Sequence, residues 1–178
     1  MTDTTMEMEP FGAAWPSLGN KAIAEAIQKN IEIAGVPKWT EEEHKFAREL
    51  QKSLNKKEEG LATKVAPLSA SRQNSSSNDI GDITWVVPSA TVRFPSAIPG
   101  VQAHHWTAGI APTMSIAHKG AVVGAKVMAA SVLDLLTSPE LLAAARNQFQ
   151  QDTKDIKYFS LLPPGAKPPV DLNKDSYG

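Results

Sequence analysis

Asn78-Asp79-Ile80-Gly81-Asp82-Ile83-Thr84-Trp85-Val86-Val87-Pro88 is the stretch on which the fold class turns. Residues 83–87 are β-branched or aromatic, an Asp-Gly turn signal precedes them and Pro88 ends them. A short apolar run so bounded reads as a buried strand. Residues 90–94, closed by Pro95, read as a weaker strand, and 106–110 as a third. Long helices alternating with short strands predict an α/β arrangement, with helices packed on a short mixed sheet. Two or three strands are few for a self-sufficient sheet, which already implies that part of the fold is missing.

The helices are read from apolar spacing. Ile23, Ile27 and Ile31 recur four apart, giving one apolar stripe over residues 20–34, with Asn20 as N-cap and Gly35 as stop. Thr40 and Glu43 fit a capping box that opens a second helix, whose buried face is expected to hold Phe46, Leu50 and Leu54. From Ser115 onward Val122, Val123, Val127, Met128, Val132, Leu135 and Leu136 are apolar nearly all round, the pattern of a well-buried helix. Ser138 caps a last helix with Pro139 in its first turn. The serine-rich stretch 68–78 reads as a mobile loop and the proline-rich end as extended chain.

Composition narrows the function classes. Net charge is −1 and aromatics are 6%, with no basic block, so nucleic acid is not an expected partner. The chain has no cysteine, which excludes disulfides, thiolate metal sites and a cysteine nucleophile. No positively charged start followed by an apolar core marks a secretory signal, and no run of about 18 apolar residues marks a membrane span. The expected location is cytoplasmic, and Asn74-Ser75-Ser76 is then a chance glycosylation sequon. Serine-nucleophile and nucleotide-binding motifs are absent.

Three of the four histidines, His104, His105 and His118, follow the acidic turn of Asp79 and Asp82. Neutral imidazole is a common metal ligand. Adjacent histidines on extended chain point to opposite sides, so one of the pair enters a site, or both lie on the surface. Asp79 and Asp82 are either ordinary turn formers or carboxylates that hold a metal, a histidine or a substrate group. His118 opens a helix, where free N–H groups suit a substrate anion, or where a histidine simply packs or caps. His44 reads as a surface helix residue.

The motifs also carry a family resemblance. The run from Ser77 through Asp79, Gly81 and Asp82 to Val86, His104-His105-Trp106, and Ser115-Ile116-Ala117-His118-Lys119-Gly120 with Ala125-Lys126-Val127-Met128-Ala129 behind it resemble signatures of the aminobenzoyl-glutamate hydrolases. These belong to the zinc amidohydrolase and carboxypeptidase family that includes aminoacylases and carboxypeptidase G. The resemblance covers roughly residues 15–151. It implies a tail at 1–14, the last helix of an inserted lid or dimerisation domain at 15–36, the C-terminal part of a catalytic domain at 37–152, and an extended tail at 153–178.

Members of this family hydrolyse an N-acyl or aminoacyl amide bond with water activated by two metal ions, usually zinc. The resemblance implies that His104, with His105 as the alternative, is the one metal ligand that this part of the chain supplies. It gives Asp79 and Asp82 a supporting role beside the metals, and His118 a role in substrate binding or in packing at the helix end. Nothing here matches the family's first histidine, its bridging aspartate or its Glu-Glu pair, so no catalytic residue is assigned. The implied protein is a truncated amidohydrolase. It needs an N-terminal half or homologous subunit as partner and takes a small amide substrate, and zinc or another divalent metal is not held tightly by this chain alone. The alternative is an inactive truncated paralogue or gene fragment, acting as a binding module or inert.

Overall fold

The computed structural model describes residues 2–70, 78–172 and 174. Most of the serine-rich stretch, with Arg72, the sequon at Asn74 and Ser77, lies outside the described residues. Five α-helices follow in order: α1 Lys21–Ala34, α2 Glu41–Ser53, α3 Ile80–Thr84, α4 Ser115–Thr137 and α5 Pro139–Thr153. Two 3₁₀ turns, Trp106–Gly109 and Ala111–Thr113, precede α4. The described residues contain no strand. The expected α/β fold of helices on a mixed sheet is therefore corrected to an all-helical one.

Each of the three expected strands fails for a local reason. Short apolar runs do not distinguish strand from helix by periodicity. At 80–84 local bonds win: Gly81 N–H donates to Asn78 O (2.9 Å), and the Thr84 hydroxyl donates to Gly81 O (2.6 Å). Thr84 Oγ1 in turn accepts from Leu18 N (2.8 Å), tying α3 to the chain before α1. Gly81 is required there, because a Cβ would sit 1.8 Å from Trp15 O. At 106–109 the His105 ring caps a 3₁₀ turn by accepting from Thr107 N. Residues 88–96 run without bend, but no neighbouring strand among the described residues pairs with them.

Helix ends follow the expected chemistry. Asn20 Oδ1 accepts from Ile23 N (3.1 Å), and Gly35 N–H closes α1 on Ile31 O (2.8 Å). The Thr40–Glu43 capping box forms in both directions, and Ser138 caps α5 through Leu141 N (3.2 Å). The buried face of α2 differs from expectation. It consists of Glu43, Ala47 and Gln51, with Phe46 and Leu50 half-buried beside it. Long-range polar partners for Glu43 and Gln51 turn the helix in a way that apolar spacing does not reveal.

Packing is organised around α4, which lies against α1 and α5. One core cluster joins Ala47, Leu61, Ile98, Ala111 and Ile116; the other joins Ile23, Ile27, Val127 and Ala145. Only one face of α4 is buried, through Ile116, Gly120, Gly124, Val127 and Ser131. Its other faces leave Val132 at 52%, Leu133 at 60% and Leu136 at 76% exposure, so the expectation of a well-buried helix is corrected. With mean hydropathy 1.5, α4 is, among the described residues, the one helix long and apolar enough to cross a membrane. Its glycine-lined face is nonetheless packed against protein.

Candidate functional site

Asp82 is half-buried, and its partners explain why. Its Oδ1 accepts from the Tyr158 hydroxyl (2.9 Å) and its Oδ2 from Trp15 N (3.4 Å). Trp15 stands at the centre of an aromatic group with Trp85, Tyr158 and Phe159, at ring-centroid distances of 5.0, 5.8 and 5.4 Å. The indoles anchor on backbone: Trp15 Nε1 donates to Phe159 O (2.9 Å) and Trp85 Nε1 to Pro16 O (2.7 Å). The bond to Asp82, helped by desolvation and the carboxylate's charge, raises the Tyr158 phenol above its ordinary pKa. In this chain Asp82 thus clamps the segment after α5 and the segment before α1 onto α3.

The other sequence-chosen residues lie apart from this clamp. Asp79 is exposed at the start of α3 and makes no capping bond. His104 is exposed, with a left-handed backbone (φ 61°). His105 is also exposed; its Nδ1 lies 2.7 Å from Thr107 Oγ1, and its ring is tilted 5.7 Å from that of Trp106. His118 is exposed in the first turn of α4. His44 is half-buried rather than superficial, accepting from Leu61 N through Nδ1 (3.3 Å). Among the described residues no three His, Asp or Glu side chains converge as a metal site would require.

Sequence reasoning missed a buried charge cluster between the N-termini of α2 and α4. Glu43 accepts from Lys119 Nζ (2.8 Å) and the Ser115 hydroxyl (2.5 Å), while its capping bond takes Thr40 N (2.7 Å). Lys119 also donates to Lys38 O (3.0 Å). The capping box was legible, but the partners more than seventy positions away were not. Burial alone would raise the Glu43 pKa; the bonds from Lys119, Ser115 and Thr40 outweigh it and hold the carboxyl below its ordinary value.

A pH test follows from that lowered pKa. A carboxyl held low in the fold stabilises above its unfolded pKa, and that contribution is lost as pH falls through the folded value. Glu43→Gln should cost about 2 kcal/mol at pH 7, the range for a hydrogen bond to a charged group. The gap from wild type should close on acidification below about pH 4. Glu42 is also held low, by backbone and Thr40 hydrogen bonds. The difference between the two proteins' urea midpoints is therefore the readout, and a pH-independent gap would contradict the assignment.

Among the described residues, grooves of about 290 and 660 Å³ open on the helical layer, one lined in part by Pro88, Ser89, Ala90 and Val92 and the other by Thr91 to Pro95. None of Asp79, Asp82, His104, His105 or His118 lines either one.

No protein-family model matches the chain, and no solved structure matches it. It is similar to a subunit of the p-aminobenzoyl-glutamate hydrolase of Escherichia coli, 29% identical over 194 residues. That similarity covers 94% of this chain but 40% of the relative, so the chain spans about two fifths of the length of the curated protein it matches.

Proposed function

We propose that this chain is the C-terminal portion of an amidohydrolase that cleaves an N-acyl or aminoacyl amide such as aminobenzoyl-glutamate, competent only when joined to the remaining portion. The observation that carries this reading is the similarity to a named hydrolase subunit across 94% of the chain but only 40% of that relative. Within the reading, His104 is a metal ligand contributed to a composite site, with His105 as the alternative. The exposure of His104 leaves its ring free to join ligands from elsewhere. Asp79 and His118, also exposed, are available to a substrate or a partner. Asp82 acts indirectly, by fixing α3 through Trp15 and Tyr158.

The described residues do not fit a zinc pair by themselves. Among the described residues no three His, Asp or Glu side chains come together, so too few donors are supplied and water would complete the shell. The same shortage favours a second reading, an inactive remnant that serves as a binding module.

Hydrolysis of aminobenzoyl-glutamate separates the two readings. The assay uses this chain alone, then the chain co-expressed with the portion of the E. coli relative outside the matched stretch, with a divalent metal in both. The expected result is no turnover by the chain alone and turnover by the pair, abolished by His104→Ala. An inactive pair that still co-purifies would favour the binding module. Rapid turnover by the pure chain would refute both readings.

A further inference from the structure

We infer that Trp106 and His105 form a two-ring wall for a planar aromatic acyl group, which makes Trp106 a specificity-determining residue of the amide hydrolysis, a role that rests on the function proposed above. The chain has four tryptophans. Trp15, Trp39 and Trp85 are half-buried anchors: each donates its indole N–H to a backbone carbonyl, those of Phe159 (2.9 Å), Ala62 (2.8 Å) and Pro16 (2.7 Å). Trp106 is instead 74% exposed. A single apolar side chain on a surface is ordinary. An indole on a rigid turn beside a second ring is not, because burial and stacking are where a tryptophan contributes most.

The chain beneath the two rings is fixed from both sides. Ile98 and Ala111 sit in one core cluster, and Thr107 between them is 1% exposed. Thr107 in turn holds His105: its backbone N–H donates to Nδ1 (3.4 Å), and its Oγ1 lies 2.7 Å from the same nitrogen. That contact caps the 3₁₀ turn Trp106–Gly109. Just before it, His104 takes a left-handed backbone (φ 61°), uncommon outside glycine and kept where the surrounding structure dictates it. The imidazole and indole lie with ring centroids 5.7 Å apart and planes at 38°. Thr107 is thus a positioning residue, and a ligand that meets these rings has little left to order.

The chemistry of the wall selects its ligand. A flat ring gains from offset or edge contact with an aromatic side chain beyond the area it buries, whereas an aliphatic group gains from area alone. The face of an indole is electron-rich and repels a carboxylate. An amide built from an aromatic acyl group and an acidic amino acid therefore places its acyl ring, not its carboxylates, on Trp106. Location agrees. His104, the proposed metal ligand, is two positions away, so at most about 7 Å separates the two Cα atoms and the wall borders the composite site.

Trp106→Ala removes the ring and Trp106→Phe keeps one. The position is exposed, so both variants should fold, which circular dichroism and melting confirm. In one arm the chain alone is titrated with aminobenzoyl-glutamate and with N-acetylglutamate. NMR follows the indole N–H of Trp106, identified as the signal missing from Trp106→Phe. In the other arm each protein is co-expressed with the portion of the E. coli hydrolase subunit outside the matched stretch, and kcat/KM is measured for both amides.

The aromatic amide should shift the Trp106 signal and the acetyl amide should leave it in place. In the pair, Trp106→Ala should lose about tenfold on the aromatic amide, through KM, and less than about twofold on the acetyl amide, while Trp106→Phe retains most of the preference. Turnover by the pair with an unchanged preference in Trp106→Ala would overturn the wall and leave the proposed function standing. Equal losses on both amides would make Trp106 a structural part of the loop and overturn the wall as well. An inactive wild-type pair would overturn the proposed function. Aromatic-only shifts at Trp106 in the chain alone would then still support the wall, and their absence would overturn it.

Discussion

Gly120→Ala is expected to destabilise the fold by about 2–3 kcal/mol, although alanine is the better helix former by about 1 kcal/mol. Gly120 lies in the second turn of α4, where the helix meets the segment before Ile98. A Cβ there would sit 2.2 Å from Pro95 O, 2.7 Å from Pro95 C and 3.2 Å from Ser96 N. All three are backbone atoms, so no rotamer change relieves the contact. The helix cannot retreat easily either, because the adjacent Lys119 and, just over a turn away, Ser115 bind Glu43. Relief must come from shifting residues 94–96, which would also move Phe94 off Gly124. For a chain of this length the melting temperature should fall by roughly 4–12 °C. Gly124→Ala should cost less. Its contacts are the Phe94 ring, at 2.6 and 2.7 Å, and the Phe94 Cβ at 3.0 Å; the ring is part of a side chain that is 40% exposed and able to swing out, which leaves the Cβ contact to be met by a small shift. Gly109→Ala, with nothing within 4 Å of its Cβ, is the control. Calorimetry on the three variants checks the order, and a Gly120→Ala protein melting at or above wild type would contradict the packing.

The legible part of this fold is the part written locally. Asn20, Thr40 with Glu43, Gly35 and Ser138 mark helix ends through bonds to residues three or four positions away, and each mark is realised. What failed depended on distant partners. A β-former run such as 83–87 becomes a strand only if another strand supplies hydrogen bonds, and none among the described residues does. Without one, Gly81 and Thr84 close a short helix. The same absence explains α4: its all-round apolar pattern is that of a helix covered on every side, yet only one stripe is covered here. Met128, Val132 and Leu136 are more than half exposed among the described residues, although their spacing in the sequence is that of a helix covered all round. At the candidate site the residue types were readable but their roles were not. Asp82 reads in sequence as a turn former or a supporting carboxylate, because the partners it has here, Trp15 and Tyr158, lie 67 and 76 positions away.

Gln51→Leu should cost about 3 kcal/mol or more, the largest single-residue loss we expect, although it exchanges an amide for an apolar group of similar length. Gln51 is fully buried, and its side chain does the work of a short strand. Its Oε1 accepts from Gly60 N (2.8 Å), and its Nε2 donates to Gly60 O and Pro99 O (both 3.0 Å). Those bonds hold the turn after α2, and the turn leading to residues 101–106, against one helix face. Leucine would add apolar contact but strand one backbone N–H and two carbonyls. Each group left buried without a partner costs about 1–3 kcal/mol. Burial of a few methyl groups, at roughly 0.8 kcal/mol per CH₂, does not offset three such losses. Gln51→Glu sharpens the test. An ionised carboxylate still accepts from Gly60 N but faces two carbonyl oxygens, so burial raises its pKa. A group whose folded pKa lies above its unfolded value is tolerated best below the unfolded value, and the fold weakens as pH rises. The glutamate variant, whose protonated carboxyl can still donate to one of the two carbonyls, should therefore be much less destabilised near pH 4 than at about pH 8, while the leucine variant is destabilised equally at both. Urea unfolding at the two pH values distinguishes them, and a leucine variant as stable as wild type would mean that Gly60 and Pro99 find other partners.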